Sequence, residues 1–155
     1  METALTRLES ALRGAVVAAI NTDNMNGIGA DIVPVERVRR MRNRNANAFE
    51  SLAFTPAEVS YCRHKHDTDL HFAGVLAAKE AVYKALGLNW DMAFSWRFME
   101  VRHRSNGSPY MTLTDVGSEA LPAATLGHVS LSIAHAGDYA IAVAWAPSSV
   151  SSGIS

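Results

Sequence analysis

The length, composition and charge of this chain favour one globular domain and exclude several classes of protein. Its 155 residues suffice for a single domain with a substantial core, and 48% apolar and 19% charged residues are typical of folded chains. A formal net charge of −1 provides no basic field for nucleic acid, and no apolar run approaches the roughly 20 residues that span a bilayer. We therefore expect no nucleic-acid or membrane partner, and the single cysteine, Cys62, is compatible with a cytoplasmic location.

The sequence pattern divides the chain into a main domain and two flanking segments. Residues 1–25 carry apolar side chains at helical spacing and then a turn-rich stretch, which predicts a helical extension and linker. Residues 26–146 contain the remaining strand and helix patterns and form the expected domain. The serine-rich residues 147–155 are expected to be a disordered tail.

The main domain begins with a strand that contains a carboxylate. The segment GIGADIVPV, residues 27–35, predicts a short strand whose glycines allow close backbone packing. A carboxylate inside such an apolar strand is costly unless it is paired or bound to a cation. Asp31 is therefore a candidate functional residue, and a capping role at the strand end is the alternative.

An arginine-rich helix is predicted after Pro34, because proline favours the first helical turn. Five arginines occur within eight residues: Arg37, Arg39, Arg40, Arg42 and Arg44. Such a charge run is usually a solvated helix surface, and the alternative is a docking surface for an acidic protein. Next, the capping-box sequence that begins at Thr55 predicts a short helix through about His64.

The longest helical pattern covers residues 71–88, HFAGVLAAKEAVYKALGL. Its apolar residues recur at steps of three and four, and Glu80 and Lys84 lie one turn apart on a common face. The many alanines and glycines around this face leave room for another backbone or a ligand. We expect Gly87 to end the helix, and Asp69 is a candidate for its N-terminal cap.

The second half of the domain is predicted to be mainly β-structure. Residues 94–102 form a predicted strand, and Asn106-Gly107 is a strong hairpin signal leading into residues 109–113. A helix capped by Thr114 is expected to continue through about residue 121. Two further strands, 128–134 and 139–145, are expected to flank a tight turn that includes His135.

Four polar residues stand where packing alone would favour apolar ones: Asp31, Glu80, Lys84 and His135. Mg²⁺ commonly binds one or two carboxylates together with water and substrate phosphates. An ammonium group can neutralise further phosphate charge, and an imidazole can bind phosphate or assist proton removal. The combination therefore indicates magnesium-dependent phosphate-transfer chemistry. A metal-binding or nucleic-acid module based on RHKHDTDLH, residues 63–71, is a weaker alternative.

Four motifs in this order, GIGADIVPVERV, FAGVLAAKEAVYKALG, NGSPYMTL and VSLSIAHAGDYAIAVA, closely resemble the holo-acyl-carrier-protein synthase type of 4′-phosphopantetheinyl transferase. The resemblance implies transfer of the phosphopantetheine arm of coenzyme A to a serine of an acyl carrier protein, or of a carrier domain in a fatty acid or polyketide synthase. A catalytically impaired homologue that only binds carrier protein is the alternative. The resemblance also implies a compact α+β fold, mainly an antiparallel sheet packed with a long helix, that assembles as a homotrimer with shared active sites.

The resemblance assigns roles to individual residues. Asp31 and Glu80 would bind Mg²⁺, with Mn²⁺ as a possible substitute, and Asp31 of one chain could join Glu80 of another. Lys84 would face the same pyrophosphate of coenzyme A, where it would either stabilise the leaving group or lower the barrier to serine deprotonation. His135 would lie at the nucleotide phosphates. The hairpin residues implied near the adenine are Asn106, Gly107 and Pro109, and those implied in carrier-protein docking are Arg37, Arg40 and Arg44.

Two features depart from the family pattern. Val75 stands where the family commonly has arginine, so some phosphate contact must come from elsewhere. The candidates for that contact are Arg63, Lys65 and Lys79. The leading segment of about 26 residues is also not part of the usual pattern, and a partner-docking or trimer-bracing helix is the hypothesis for it.

Overall fold

The computed structural model describes residues 27–88, 96–120 and 129–146. The predicted N-terminal extension, the end of the helix near residue 121 and the C-terminal tail lie outside the described residues. The described strands are β1 (Ile28–Pro34), β2 (Met99–His103), β3 (Pro109–Leu113), β4 (Ser130–Ala136) and β5 (Tyr139–Trp145). The described helices are α1 (Val35–Ala53), α2 (Pro56–Arg63), α3 (Thr68–Ala85) and α4 (Asp115–Ala120). Within these ranges no helix has both the length and the apolar character needed to cross a membrane.

The sheets are antiparallel and the long helix α3 packs against the larger of them, which confirms the predicted α+β class. The larger sheet has the order β1-β5-β4, and β2 pairs with β3 in a separate hairpin. Helix α3 lies on β1 and β5 through small buried side chains that include Ala77, Ala81 and Ala85. Because these side chains are short, the helix backbone approaches the sheet closely.

Gly29 sets the distance between β1 and α3. A Cβ atom at this position would lie 1.9 Å from the carbonyl oxygen of Ala81 and 2.6 Å from the amide nitrogen of Ala85. Both are backbone atoms and cannot move aside without shifting the helix, so only glycine fits. The close packing predicted from the glycines of this strand is confirmed, and it places Asp31 beside the last turns of α3.

Helix α3 begins three residues earlier than predicted, at Thr68. The side chain of Asp67 accepts a hydrogen bond from the backbone N–H of Leu70 at 3.0 Å and caps the helix. The prediction that Asp69 caps it was wrong, because its carboxylate pairs with Arg42 instead. At the other end Gly87 adopts a φ of 64°, the left-handed conformation expected just beyond a helix C-cap.

Two predicted strand boundaries differ from the structure. Residues 96–98 form a 3₁₀ turn before β2, so the strand begins at Met99 rather than near residue 94. His135 belongs to β4 and not to the turn, because β4 and β5 are joined by two residues, Gly137 and Asp138. Gly137 has a φ of 56°, which suits the first central position of a tight hairpin turn.

Helix α1 is kinked near its middle. Asn45 has non-helical backbone angles, and its side-chain oxygen accepts a hydrogen bond from the N–H of Ala48 at 3.0 Å. This capping contact starts the second half of the helix. The kink leaves the arginine-bearing first half, which follows directly from β1, as a separate helical segment.

Candidate active site

Two carboxylates predicted to bind a metal meet between β1 and α3. Asp31 projects from β1, and its side chain forms a hydrogen bond with that of Glu80 on α3. The Lys84 Nζ atom lies 2.7 Å from Asp31 Oδ1 and donates a further hydrogen bond to the Ala30 carbonyl oxygen at 3.0 Å. Both carboxylates belong to one chain, so the pair forms within a subunit, whereas the resemblance implied that Asp31 of one chain could join Glu80 of another. Gly29 makes this arrangement possible through the close approach of β1 to the helix.

Glu80 holds a proton more strongly than an isolated carboxylate does. Burial raises the pKa of Glu80 to about 7, with the hydrogen bond and the negative charge of Asp31 as further causes. Arg37 and Lys84 act in the opposite direction. Two close carboxylates repel each other when both are ionised, and a bound cation relieves this repulsion as a proton does. A divalent ion relieves it more strongly, because it carries two positive charges.

The donor set of this pair fits Mg²⁺. Both side chains offer hard carboxylate oxygens, and Mg²⁺ usually binds one or two carboxylates while water and phosphate oxygens complete its coordination. In the described part of the chain no cluster of three or more potential metal-binding side chains occurs. A preformed all-protein cage, as expected for structural zinc, is therefore absent from those residues.

A second recess, the histidine cavity, lies beside the N-terminal half of α3. It has a volume of about 170 Å³ and is lined by Tyr61, His71, Gly74, Val75, His103, Gly107, Pro109, Ile133 and His135. Three predicted coenzyme A-binding residues, Gly107, Pro109 and His135, thus meet at one place. Asn106 lies in the adjoining turn, where its side-chain oxygen accepts a hydrogen bond from the N–H of Ser108 at 3.0 Å.

His135 reaches this cavity because Gly74 has no side chain. A Cβ atom at Gly74 would lie 2.9 Å from the His135 Nε2 atom. Burial lowers the pKa of His135, the charge of His71 lowers it further, and Asp67 acts in the opposite direction. The imidazole therefore lies close to helix α3, in surroundings that favour its neutral form.

Lys79 is not available to a phosphate, and its predicted role in binding coenzyme A was wrong. Its side chain is fully buried and its Nζ atom lies 2.7 Å from Glu58 Oε2. It also donates hydrogen bonds to the carbonyl oxygens of Ala53 at 2.9 Å and Trp96 at 2.7 Å. Burial lowers the pKa of Lys79 and raises that of Glu58, while their mutual attraction opposes both changes. Lys79 therefore joins α3 to the segments around it.

Replacing Lys79 with Met is expected to lower the free energy of unfolding by about 3 kcal/mol, because Glu58 would remain buried without its cation. The double replacement Glu58→Gln with Lys79→Met should recover part of that loss. Urea unfolding followed by circular dichroism measures both. Lys65→Met, at an exposed position, is the control and should change stability by less than about 0.5 kcal/mol. An effect of Lys79→Met as small as that would contradict a structural role.

The other two predicted phosphate contacts, Arg63 and Lys65, lie at different distances from the histidine cavity. Arg63 Nη2 lies 2.6 Å from Glu50 Oε2 and borders another cavity of about 600 Å³, so the structure does not bring it to the histidine cavity. The Lys65 Nζ atom lies 4.6 Å from the centre of the Tyr61 ring, which lines the histidine cavity. Of these candidates, only Lys65 is close to that cavity.

The arginines of α1 divide into two sets. Arg37, Arg40 and Arg44 are exposed and follow the spacing of one helical stripe. Arg39 instead lies 2.8 Å from Glu36, and Arg42 pairs with Asp69 and Glu50. The charge of Arg37 also acts on Glu80, so the stripe begins beside the carboxylate pair.

The sequence did not indicate Tyr61 or His103 as site residues, and it included His71 only in the alternative module of residues 63–71. Two signals were present: His71 lies one helical turn before Gly74 and Val75, and His103 faces Pro109 in the register of the hairpin. Cys62 is a buried thiol of helix α2, and burial raises its pKa to about 12, so it is poorly suited to act as a nucleophile.

Comparison with known proteins places these motifs in one family. The model of the 4′-phosphopantetheinyl transferase superfamily matches residues 27–144. A holo-[acyl-carrier-protein] synthase of Geotalea daltonii is 38% identical and aligns over 76% of this chain and 94% of its own length.

Solved structures give the same result. The crystal structure of a holo-[acyl-carrier-protein] synthase from Neisseria meningitidis has a TM-score of 0.68 and 30% identity, covering 76% of this chain and 94% of its own. The Helicobacter pylori synthase, solved in complex with coenzyme A, has a TM-score of 0.62 and 28% identity, with coverage of 76% and 97%.

Proposed function

Because the chain belongs to the 4′-phosphopantetheinyl transferase superfamily, we propose that it transfers 4′-phosphopantetheine from coenzyme A to a serine of an apo acyl carrier protein. The serine oxygen bonds to the pantetheine-side phosphorus while the phosphoanhydride bond breaks. Adenosine 3′,5′-bisphosphate and one proton are released. The observation that carries the proposal is the convergence of Asp31, Glu80 and Lys84 from two separated motifs.

We propose Mg²⁺ as the metal, with Asp31 and Glu80 as its protein ligands and Mn²⁺ as a possible substitute. When bound, the ion would neutralise charge on the pyrophosphate of coenzyme A. The donor set supports this assignment, because two adjacent carboxylates repel each other unless a proton or a cation lies between them.

Besides the metal ion, the ammonium group of Lys84 provides positive charge at this site. Its side chain is 42% exposed while its ammonium contacts Asp31, so it can contact solvent-accessible phosphate without leaving the site. A fixed positive charge beside the scissile bond stabilises the negative charge that develops on the leaving phosphate. We assign it to the leaving group and assign His135 to the nucleotide phosphates.

We propose that the stripe of Arg37, Arg40 and Arg44 binds the acyl carrier protein or carrier domain. The charged side chains are exposed, and the stripe begins with Arg37 beside Glu80, where the acceptor serine must arrive. Charge complementarity would orient an acidic partner with respect to the carboxylate pair.

We propose a homotrimer, supported by the sheet face opposite α3. This face exposes large apolar side chains that would otherwise contact water, among them Ile28 at 67%, Ile32 at 56% and Trp145 at 53%. Light scattering should therefore give a mass three times that of one chain. Ile32→Glu should lower that mass, because a buried charge would oppose assembly. A variant that keeps the wild-type mass would argue against use of this face.

The test of the function is a transfer assay with coenzyme A, Mg²⁺ and several apo carrier proteins. Mass spectrometry should show the phosphopantetheine increment on the carrier, and a chelator should abolish it. If no carrier acquires the increment, the enzymatic proposal fails. Carrier binding without transfer would favour the catalytically impaired homologue instead.

A further inference from the structure

The buried ion pair of Glu58 and Lys79 is next to the candidate active site along the chain but is not part of it. Lys79 directly precedes Glu80, and consecutive side chains leave an α-helix about 100° apart. Lys79 enters the core and meets Glu58, whereas Glu80 meets Asp31. Any rotation of α3 about its own axis therefore moves both side chains together.

Apolar packing by itself leaves the rotation of α3 loosely defined. The helix rests on β1 and β5 through the short side chains of Ala77, Ala81 and Ala85. Such a flat face has no large ridges that fit into grooves of its neighbour. On the other side of the helix Phe72 and Leu86 are buried, but apolar contacts have no preferred direction. Directional contacts are therefore needed to fix the rotation.

The ammonium group of Lys79 makes directional contacts with three other segments of the chain. Its Nζ atom lies 2.7 Å from Glu58 Oε2. It donates further hydrogen bonds to the carbonyl oxygens of Ala53 at 2.9 Å and Trp96 at 2.7 Å, so all three of its N–H groups are used. Because hydrogen bonds weaken steeply with distance and angle, these contacts define one position for the end of the side chain.

Glu58 is held in place by elements other than α3. Its Oε1 atom accepts a hydrogen bond from the backbone N–H of Val101 on β2 at 2.7 Å. Its Oε2 atom accepts one from the N–H of Thr55, which caps α2, at 2.9 Å. The Thr55 hydroxyl in turn donates to Glu100 Oε2 at 2.6 Å. The carboxylate is therefore a fixed point against which Lys79 positions α3.

A small rotation of α3 would be enough to disturb the active site. Side-chain ends lie about 5 to 6 Å from the axis of an α-helix, so a rotation of about 10° moves them by about 1 Å. A displacement of that size can slow an enzyme about a hundredfold. Glu80 and Lys84 would both move relative to Asp31, because Asp31 belongs to β1.

Stability alone does not explain why two charges are buried here. The cost of removing a carboxylate and an ammonium from water often exceeds the attraction between them, and apolar side chains of similar size can replace such pairs with little loss of stability. Burial lowers the pKa of Lys79 and raises that of Glu58, as this cost requires. What apolar side chains cannot replace is the directional contact.

We propose that Glu58 and Lys79 are positioning residues that fix the rotation of α3 and so hold Glu80 and Lys84 in place beside Asp31. The inference rests on the proposed function, which assigns those three residues to the metal and to the pyrophosphate of coenzyme A. The side chains of Glu58 and Lys79 are almost completely buried, so neither touches a substrate. They act on the reaction through α3.

The first test uses the double variant Glu58→Gln with Lys79→Met, which leaves no unpaired charge in the core. Binding of Mn²⁺ to the full chain without substrates is measured by electron paramagnetic resonance, and we expect the Kd to rise about tenfold. In the transfer assay kcat should fall at least about tenfold, while KM for the carrier protein changes less than about twofold. The arginine stripe lies before the kink of α1, so its position does not depend on α3 in this way. Wild-type values of Kd and kcat would overturn the inference.

Met99→Ala is the control for a general loss of stability. Met99 is fully buried on β2, and its truncation leaves a cavity without removing a polar group. A folded state that is only somewhat less stable still accounts for nearly all molecules. Met99→Ala should therefore keep the wild-type Kd for Mn²⁺ and the wild-type kcat. Losses as large as those of the double variant would refute a specific role for the ion pair.

Glu58→Asp provides a second test that keeps both charges. Its carboxylate is about 1 Å shorter in reach, so Lys79 must move to keep the contact. We expect the Kd for Mn²⁺ to rise about threefold and kcat to fall in parallel. Should the double variant not fold, this variant provides the result, and an unchanged Kd and kcat would count against the inference.

Metal binding separates this inference from the proposed function. If no carrier protein is modified, but the double variant binds Mn²⁺ about tenfold more weakly than the wild-type protein does, the positioning role stands and the transferase assignment fails. If the wild-type protein transfers phosphopantetheine and the double variant matches it in kcat and Kd, only the positioning role fails.

Discussion

Replacing Glu80 with Gln is expected to lower kcat for carrier-protein modification at least about a hundredfold while leaving the fold intact. The change removes one of two carboxylates that meet between β1 and α3 and keeps the size of the side chain. Steady-state assays across Mg²⁺ concentrations measure the loss. Glu36→Gln, at an exposed residue of α1, is the control and should retain wild-type turnover.

The same variant should gain stability when no divalent metal is present. The pKa of Glu80, about 7 against an ordinary 4.5, means that the folded state keeps a proton that the unfolded state loses. Stability of the metal-free protein should therefore fall as pH rises from about 4.5 to about 7 and stay low above it. Because the carboxylate is half-exposed, we expect Glu80→Gln to be more stable by only about 1 kcal/mol at pH 8.

At pH 5 the variant and the wild-type protein should differ little, since Glu80 is then protonated in the folded state. Thermal unfolding in chelator at both pH values tests this. Wild-type turnover in Glu80→Gln would exclude its role as a metal ligand. Lower stability at pH 8 would instead show that the carboxylate supports the fold.

Reversing the charge of Arg37 and Arg40 to Glu is expected to raise KM for the carrier protein at least about tenfold, because an acidic partner would meet two negative charges. KM for coenzyme A should change far less, since the histidine cavity lies elsewhere on the chain. Kinetics with each substrate varied in turn provide the measurement. Increases of similar size for both substrates would show that the stripe is not the docking surface.

Neighbouring arginines on α1 provide a matched control. Arg40→Gln and Arg39→Gln remove the same charge from adjacent positions, but Arg39 lies against Glu36 and Asp69. Only Arg40→Gln should weaken carrier binding and make it less sensitive to salt. Equal effects would mean that total charge, rather than the stripe, attracts the carrier.

Local sequence rules predicted most elements of the fold. The capping box at Thr55, the Asn106-Gly107 hairpin and the Thr114 cap are all present in the structure. These succeed because a cap or turn depends on residues only a few positions apart. The cap of α3 was mistaken because Asp67 and Asp69 are equivalent as caps, and a distant residue, Arg42, engages Asp69.

For the site residues too, local sequence patterns were sufficient for some predictions, while others depended on contacts between distant residues. The motifs identified Asp31, Glu80, Lys84 and His135, since each is a polar side chain within an apolar pattern. The pattern could not exclude Lys79, which has the same type of side chain as Lys84. Its burial against Glu58 depends on how α2 and α3 pack.

The sequence by itself determined the family, the order of the elements and the chemical types of the active-site residues, because these follow from residue identity and short-range spacing. The tertiary structure decided which of those residues meet. Asp31 and Glu80 are 49 positions apart, and they touch because Gly29 lets a strand lie on a helix backbone. The convergence of His71, His103 and His135 likewise depends on packing between three separate elements. The periodicity of the sequence does not predict such contacts, because they depend on how separate elements pack and not on residue spacing within a single element.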